Sequence, residues 1–262
     1  DLKVVRHKVN RGLGASRKSA LAVSSGEFVL NVDSDDYLTD DAVKTLVEVQ
    51  QATGADLVSG SFQSLSPEGE LQQNPVPQLD KERTIKLMLT QNTIPSNIWA
   101  RLIRKSVFAE NGIDSVEGIN MAEDYGLIPR LILASQSIAY TDKSVYVYRL
   151  SSVSSTFGDF VRPQHVRSFL HANETVRLYF QSCGAEAHYG FALGLGMLNV
   201  YHKSMSAGFN CKDIFEVCHY NPVLPLFRLC HALFAHKSTL KLLRFSYLVI
   251  KWCYRKWLLC RV

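Results

Sequence analysis

The chain has 262 residues, of which 47% are hydrophobic and 20% are charged, which excludes a disordered chain and suffices for one large domain or a domain with an appendage. The formal net charge of +5 is uneven, because the segment from Val217 to Val262 holds eight Lys or Arg and no Asp or Glu. No part of the chain resembles a nucleic-acid reading module, so no nucleic-acid partner is expected.

The six cysteines all lie between Cys183 and Cys260, and none forms a C-x-x-C pair. The chain carries no secretion signal to accompany them. This pattern favours reduced thiols, and hence a cytoplasmic protein, over a disulfide framework.

The first part of the chain alternates between strand and helix patterns. Helices are predicted from about Ala15 to Val23 and from about Thr39 to Gln51, with Gly54 closing the second. Strands are predicted at Leu2 to Arg6, Phe28 to Val32 and Asp56 to Phe62. This order is typical of an α/β domain with a mainly parallel sheet.

The later pattern is less regular and then becomes helical. The stretch from Leu65 to Leu79 predicts an exposed loop or hairpin. Five further predictions follow in chain order: a helix at Lys81 to Thr90, a strand at Asn97 to Ile103, helices at Lys105 to Asn111 and Ala122 to Ala134, and one or two strands within Ser137 to Tyr148. From about Arg162 the pattern is helical, with Gly190 to Gly196 as a tight packing point or a break.

The most informative motif is an acidic turn after a strand. The strand pattern from Phe28 to Val32 delivers Asp33, Asp35 and Asp36 into a short turn. Clustered carboxylates repel one another unless a cation lies among them, so the motif predicts a Mg²⁺ or Mn²⁺ site shared with the phosphates of a ligand. The alternative is a helix N-terminus with Thr39 as its cap, which explains Asp40 and Asp41 but leaves Asp33 unexplained.

A glycine turn precedes the first helix. Gly12-Leu13-Gly14 invites a dinucleotide-binding interpretation, but the third glycine of G-x-G-x-x-G would fall at Arg17. An arginine at a helix start is instead suited to an anionic phosphate or nucleotide. The alternative is a solvated helix face.

A second acidic motif occurs where a glycine-containing loop enters a helix, at Glu123 and Asp124. These side chains could simply complement the helix dipole. They could also include a general base, because transfer to a hydroxyl requires a carboxylate that accepts its proton. The two interpretations can coexist.

Together these motifs resemble those of the family 2 glycosyltransferases with the GT-A fold, of the bacterial surface-polysaccharide type. The resemblance covers about Val4 to Thr156. Its matching segments are Asn10 to Arg17, Gly26 to Leu38 with its D-x-D region, Asn97 to Arg104, Ala122 to Tyr125, Tyr146 to Arg149, and Ser151 to Thr156.

The resemblance implies an α/β GT-A fold with a mixed, Rossmann-like sheet. It also implies a transferase that moves a sugar, with inversion, from a nucleotide-diphosphate donor to the hydroxyl of a saccharide or lipid-linked acceptor. By position, Asp35 would bind the metal, with Asp33 at the metal or the donor nucleotide and Asp36 beside them. Arg17 would hold the nucleotide, and Asp124 would be the catalytic base, facing the same cleft as Asp35.

The family pattern begins with an apolar strand and a nucleotide-binding D-D-G-S-type motif that are missing here, so we expect an N-terminally truncated sheet. We expect a partial GT-A domain at residues 1–157 and a helical region at 158–262. The basic, aromatic tail suits peripheral contact with the inner face of the cell membrane; the alternative is a packed helical appendage. Two other functions stay open: a non-catalytic membrane-associated scaffold, and a nucleotidyltransferase with the same D-x-D chemistry.

Overall fold

The computed structural model describes residues 2–90, 94–117, 119, 121–150, 163–206 and 240–259. Predictions on the remaining residues, including Ser151 to Thr156, lie outside this range. The chain divides into two compact units. The first comprises Asp1–Lys81, Ser96–Gly118 and Leu127–Asp159, and the second comprises Glu82–Pro95, Ile119–Gly126 and Phe160–Val262. The domain boundary at 157 stays a prediction.

The first unit contains a six-stranded mixed sheet with the order β1-β5-β3-β6-β2, and β4 pairs with β3. Its strands are β1 (Phe28–Leu30), β2 (Tyr37–Leu38), β3 (Leu57–Leu65), β4 (Leu71–Asn74), β5 (Arg101–Arg104) and β6 (Ile138–Arg149). The β3–β4 pairing confirms a hairpin at the start of the Pro-containing stretch. The two halves of the predicted Ser137 to Tyr148 segment form one long strand, β6.

The prediction of a mainly parallel sheet is wrong. Among the described strands only β3 and β6 pair in parallel, over Leu57–Leu65 and Ile138–Arg149. The pairs β1–β5, β2–β6, β3–β4 and β3–β5 are all antiparallel. Strand and helix patterns report which segments are extended, whereas pairing direction depends on how distant segments meet.

The predicted strand at Leu2 to Arg6 is also wrong, since residues 2–11 contain no strand. A strand needs a partner for its backbone groups, and the segment from Leu2 to Arg6 pairs with none of the described strands. The outer edge of β1, which pairs with β5 alone among these strands, is not covered by it. The segment instead contacts the first helix, where the Lys3 Nζ donates to the Val23 carbonyl at 3.0 Å. Its apolar side chains stay exposed, with Leu2 at 93%.

The helices of the first unit are α1 (Gly12–Val23), α2 (Ala42–Thr53), α4 (Lys105–Glu110) and the later part of α5 (Glu123–Ala134). Of these, α2 packs against β3 and β6, and α4 contacts β5. Gly54 closes α2 in the left-handed conformation, as predicted. Thr39 is not the cap of α2: the helix begins after Asp41 without a side-chain cap, and the Thr39 hydroxyl donates to the Ser144 carbonyl at 3.0 Å.

The glycine turn has a packing role. A Cβ atom on Gly14 would lie 2.7 Å from the carbonyl oxygen of Val116, a distance that real Cβ contacts do not show. Gly14 therefore lets α1 approach the backbone at Val116 closely. A core cluster of the first unit includes Leu46 of α2, Val58 of β3 and Tyr146 of β6, all 0% exposed.

The second unit is helical in its described residues. It takes in most of α3 (Lys81–Leu89), the start of α5 (Glu123–Ala134), and all of α6 (Pro163–Ser182), α7 (Glu186–Ser206) and α8 (Leu240–Leu259). The segment Gly190 to Gly196 is a packing point and not a break, because α7 runs through it. No helix of the described chain is long and apolar enough to cross a bilayer.

Candidate functional site

The acidic turn crosses one end of the sheet from one edge strand to the other. After β1, Asn31 forms a parallel bridge with Trp99, which precedes β5. The Asp36 N–H then donates to the Asp33 carbonyl at 3.1 Å, which closes the turn. β2 follows at once and pairs with β6 on the far edge. The sheet thus brings Asp33, Asp35 and Asp36 together, as the sequence predicted.

Asp36 is anchored to β6 by both of its carboxylate oxygens. The Tyr146 hydroxyl donates to Oδ2 at 2.9 Å, and the Arg149 N–H donates to Oδ1 at 2.8 Å. Burial raises the pKa of the Asp36 carboxyl above its usual range, although these two hydrogen bonds oppose the rise. The contacts of Asp36 therefore hold the turn in place.

Asp33 pairs with Arg17, the residue that the sequence singled out on α1. The Arg17 Nη2 lies 3.2 Å from the Asp33 Oδ1. The Arg17 side chain is 9% exposed and that of Asp33 is 30% exposed, so the pair is partly shielded from water. The Asp33 N–H also donates to the Tyr146 hydroxyl at 3.1 Å. Arg17 and Asp33 thus face one another where β1 ends.

Asp35 is exposed, and its carboxylate makes neither a hydrogen bond nor an ion pair with any described residue. Only its backbone carbonyl is engaged, by the Arg149 Nη1 at 3.4 Å. Of the three aspartates, Asp35 therefore has the carboxylate that is available to an incoming ligand.

An aromatic stack lies beneath the turn. The Trp99 ring stacks on Tyr146 with centroids 4.5 Å apart and on Tyr148 with centroids 5.5 Å apart. Ala100, which follows Trp99, has a φ of 56°, a left-handed conformation that costs an alanine of order 1 kcal/mol. The sequence singled out the segments that carry Trp99 and Tyr146, but it gave no sign that Tyr146 supports the acidic turn.

The acidic turn fits a metal ion only if the ligand supplies further oxygens. Among the described residues, no group of three or more His, Cys, Asp or Glu side chains is arranged to hold a metal. Asp33 and Asp35 offer two carboxylates. Protein-bound Mg²⁺ commonly has one or two carboxylates, with waters and substrate phosphates as its other ligands. This donor set is compatible with a divalent ion shared with a diphosphate.

A cavity of about 300 Å³ adjoins the site on the side of α1 and β1. Its lining includes Arg17, Asn31 and the residues of β1. Arg17 therefore borders this cavity as well as pairing with Asp33.

Asp124 lies in the second unit, in the first turn of α5 together with Glu123. Both side chains are half-buried. Ala122, just before them, has a φ of 65° and is, after Ala100, the second alanine in the left-handed conformation. The position at a helix start agrees with the dipole interpretation, and this interpretation leaves a role as base open.

The chain is similar to several bacterial glycosyltransferases. The profile of the family described as Glycosyl transferase family 2 matches residues 1–112. The uncharacterized glycosyltransferase EpsJ of Bacillus subtilis is 25% identical over 160 residues, which is 58% of this chain and 46% of EpsJ. The poly(ribitol-phosphate) beta-glucosyltransferase of Bacillus spizizenii is 27% identical over 151 residues, which is 56% of this chain and 23% of that protein.

The same fold occurs in S. aureus TarS 1-349, which was crystallised in complex with UDP-GlcNAc. The TM-score is 0.61 at 20% identity, and the match covers 90% of this chain and 64% of that one. This chain spans about half or less of the length of the two curated relatives described above. Residues 1–112 thus resemble glycosyl transferase family 2, and the chain has the GT-A fold that is seen in S. aureus TarS.

Proposed function

We propose that this chain transfers a sugar from a nucleotide-diphosphate donor to the hydroxyl of a saccharide or lipid-linked acceptor, in polysaccharide or glycolipid biosynthesis. The observation that carries the proposal is the acidic turn, in which Asp36 is used for anchoring while the Asp35 carboxylate stays available. The UDP-GlcNAc complex of TarS supports a nucleotide-sugar donor.

Asp35, with Asp33 beside it, would hold Mg²⁺ or Mn²⁺ against the donor diphosphate. When bound, such an ion neutralises the charge that develops on the departing nucleoside diphosphate. The anchoring of Asp36 to β6 keeps the backbone of the turn fixed, so Asp35 needs little reorganisation to meet the donor.

Arg17 would contribute positive charge at the donor site. Its guanidinium already pairs with Asp33 and borders the cavity along β1. Arginine forms paired hydrogen bonds with phosphate oxygens, so one guanidinium can orient both Asp33 and a donor phosphate.

Asp124 would accept the proton of the acceptor hydroxyl. The hydroxyl oxygen would attack the anomeric carbon as the bond to the diphosphate breaks, and this single displacement would invert the anomeric configuration. We place the reaction in the cytoplasm, in agreement with Cys183 and Cys253, which are exposed and form no disulfide within the described part of the chain.

The test uses the full chain with Mn²⁺ and a panel of UDP-sugars, first for binding by calorimetry and then for transfer. Asp35→Ala should abolish metal-dependent donor binding, whereas Asp40→Ala, a change to an exposed aspartate in the turn after β2, should preserve it. Asp124→Asn should stop transfer and leave donor binding within about twofold, with Glu123→Gln as its control. Inversion is read from the anomeric proton of the product.

Two results would overturn the proposal. Full transfer by Asp35→Ala would remove its assigned role, and full transfer by Asp124→Asn would remove that of the base. If the folded chain binds no nucleotide sugar with any divalent ion, the non-catalytic scaffold becomes the better interpretation.

A further inference from the structure

Helix α8 turns a polar side chain toward the protein. Lys251 is 9% exposed, and its Nζ donates to the Asn199 Oδ1 of α7 at 3.3 Å. Tyr254 and Leu258 share this face at helical spacing, and the Tyr254 ring lies 4.9 Å from that of Phe191 on α7. The inward face of α8 is therefore mixed in polarity and holds a buried lysine.

The outward side of α8 is exposed and carries several large apolar side chains. Trp252 is 60% exposed and Trp257 is 46% exposed. The neighbouring Leu248, Val249 and Ile250 are each at least 40% exposed. Burial in a protein core would place these large apolar side chains inside and the lysine outside. Here Lys251 lies inside while Trp252 and Trp257 lie outside, which is the pattern of a helix whose outer side contacts an apolar environment.

The charge of α8 indicates which apolar environment its outward side contacts. Its sequence from Leu240 to Leu259 contains Lys and Arg but no Asp or Glu. Arg255 and Lys256 are exposed beside the tryptophans, and the Lys256 Nζ lies 6.0 Å from the centre of the Trp252 ring. Tryptophan and basic side chains together are typical of helices at the headgroup level of a bilayer, where anionic lipids complement the positive charge.

We propose that the outward face of α8 binds an anionic lipid surface, with the helix lying in the plane of the interface. This face is defined by Leu248, Val249, Ile250, Trp252, Lys256 and Trp257. The helix would insert its apolar side chains below the headgroups while Arg255 and Lys256 pair with lipid phosphates. The proposal stands on α8 and its contacts with α7, and it holds whether or not the chain transfers sugar.

The first experiment measures flotation of the full chain with vesicles and without any sugar donor. Vesicles of phosphatidylcholine with roughly a third of phosphatidylglycerol should capture the chain, and pure phosphatidylcholine should capture far less. Arg255→Gln with Lys256→Gln should weaken binding by about 30-fold, because each basic residue near an anionic surface contributes roughly 1 kcal/mol. Trp252→Ser with Trp257→Ser should weaken it by about tenfold or more.

Matched controls separate this face from general surface effects. Leu178→Ser changes an apolar side chain on α6 that is 49% exposed. Lys44→Gln removes a cation from α2 whose side chain is 77% exposed. Both control variants should bind vesicles like the unchanged chain, and all variants should keep its circular dichroism spectrum.

Fluorescence gives an independent reading, because the chain has three tryptophans and Trp99 is only 8% exposed. Anionic vesicles should shift the emission of the unchanged chain to the blue, and lipids brominated near the headgroup should quench it. The variant Trp252→Phe with Trp257→Phe, in which Trp99 alone emits, should show neither effect.

Three outcomes would overturn the proposal. The unchanged chain could fail to float with anionic vesicles, or it could float equally well after the Trp and the Arg/Lys substitutions. In the third outcome the chain self-associates without lipid and Trp252→Ser with Trp257→Ser makes it monomeric, which would assign the face to a second copy.

Discussion

The hydroxyl of Tyr146 lies 2.9 Å from a carboxylate oxygen of Asp36, although 110 positions separate the two residues in the chain. The same hydroxyl accepts the N–H of Asp33 at 3.1 Å. Tyr146 is fully buried in the core of the first unit. One buried phenol therefore joins both ends of the acidic turn to β6.

Tyr146→Phe should destabilise the first unit by about 1 to 3 kcal/mol, since it leaves the Asp33 N–H and one oxygen of Asp36 without their partner. Urea unfolding measures this loss. Tyr37→Phe is the matched control, because the Tyr37 side chain is exposed and its hydroxyl makes no hydrogen bond with the described residues. Equal stabilities of the two variants would show that the phenol bridge has no effect on folding.

Asp35 and Asp36 are adjacent, but the same substitution by asparagine should affect different properties. At Asp36 it should lower stability, and at Asp35 it should remove metal-dependent binding. Asp36→Asn should lower the free energy of unfolding by about 1 to 2 kcal/mol, because an amide cannot accept from both Tyr146 and Arg149 without presenting a donor to one of them. Asp35→Asn should change stability by less than about 0.5 kcal/mol, since its carboxylate is exposed and without contacts among the described residues.

Calorimetry of Mn²⁺ with UDP completes the comparison. Asp35→Asn should lose metal-dependent binding of UDP, whereas Asp36→Asn should keep it at temperatures where that variant is folded. If Asp36→Asn alone loses the metal dependence at full stability, the two roles are the reverse of those inferred from the contacts.

These contacts show what the sequence could and could not predict. The acidic turn was predictable because a strand pattern and its last residues are local. The anchoring role of Asp36 was not, because it depends on Tyr146 and Arg149 of a distant strand. The false strand at Leu2 to Arg6 has a similar cause: its apolar pattern suits a strand, but pairing is not local, and none of the described strands pairs with this segment.

Two helical glycines of the second unit should respond differently to alanine. A Cβ on Gly196 of α7 would lie 2.2 Å from the carbonyl oxygen of Leu89, and backbone has little freedom to move away. Gly196→Ala should therefore destabilise the chain by about 1 to 3 kcal/mol. A Cβ on Gly126 of α5 would meet Ala172 at an ordinary 3.6 Å. Gly126→Ala should be neutral or stabilise by up to about 1 kcal/mol, because alanine has the higher helix propensity.

Thermal and urea unfolding measure both glycine variants in parallel. The prediction concerns their order of stability, with Gly126→Ala above Gly196→Ala. Equal destabilisation by the two would indicate that the close approach of α7 to Leu89 relaxes without cost.

Tyr254 should make stability depend on alkaline pH. Burial against α7 raises the pKa of Tyr254 to about 12, above its usual value of 10.0. Because the unfolded chain ionises this phenol first, its contribution is complete below about pH 10 and is lost as the pH rises toward about 12. Tyr254→Phe should therefore unfold with a smaller decrease in urea midpoint between about pH 9.5 and about pH 11.5. Tyr37→Phe, at an exposed phenol, should keep the decrease of the unchanged chain, and an unaltered decrease in Tyr254→Phe would contradict the prediction.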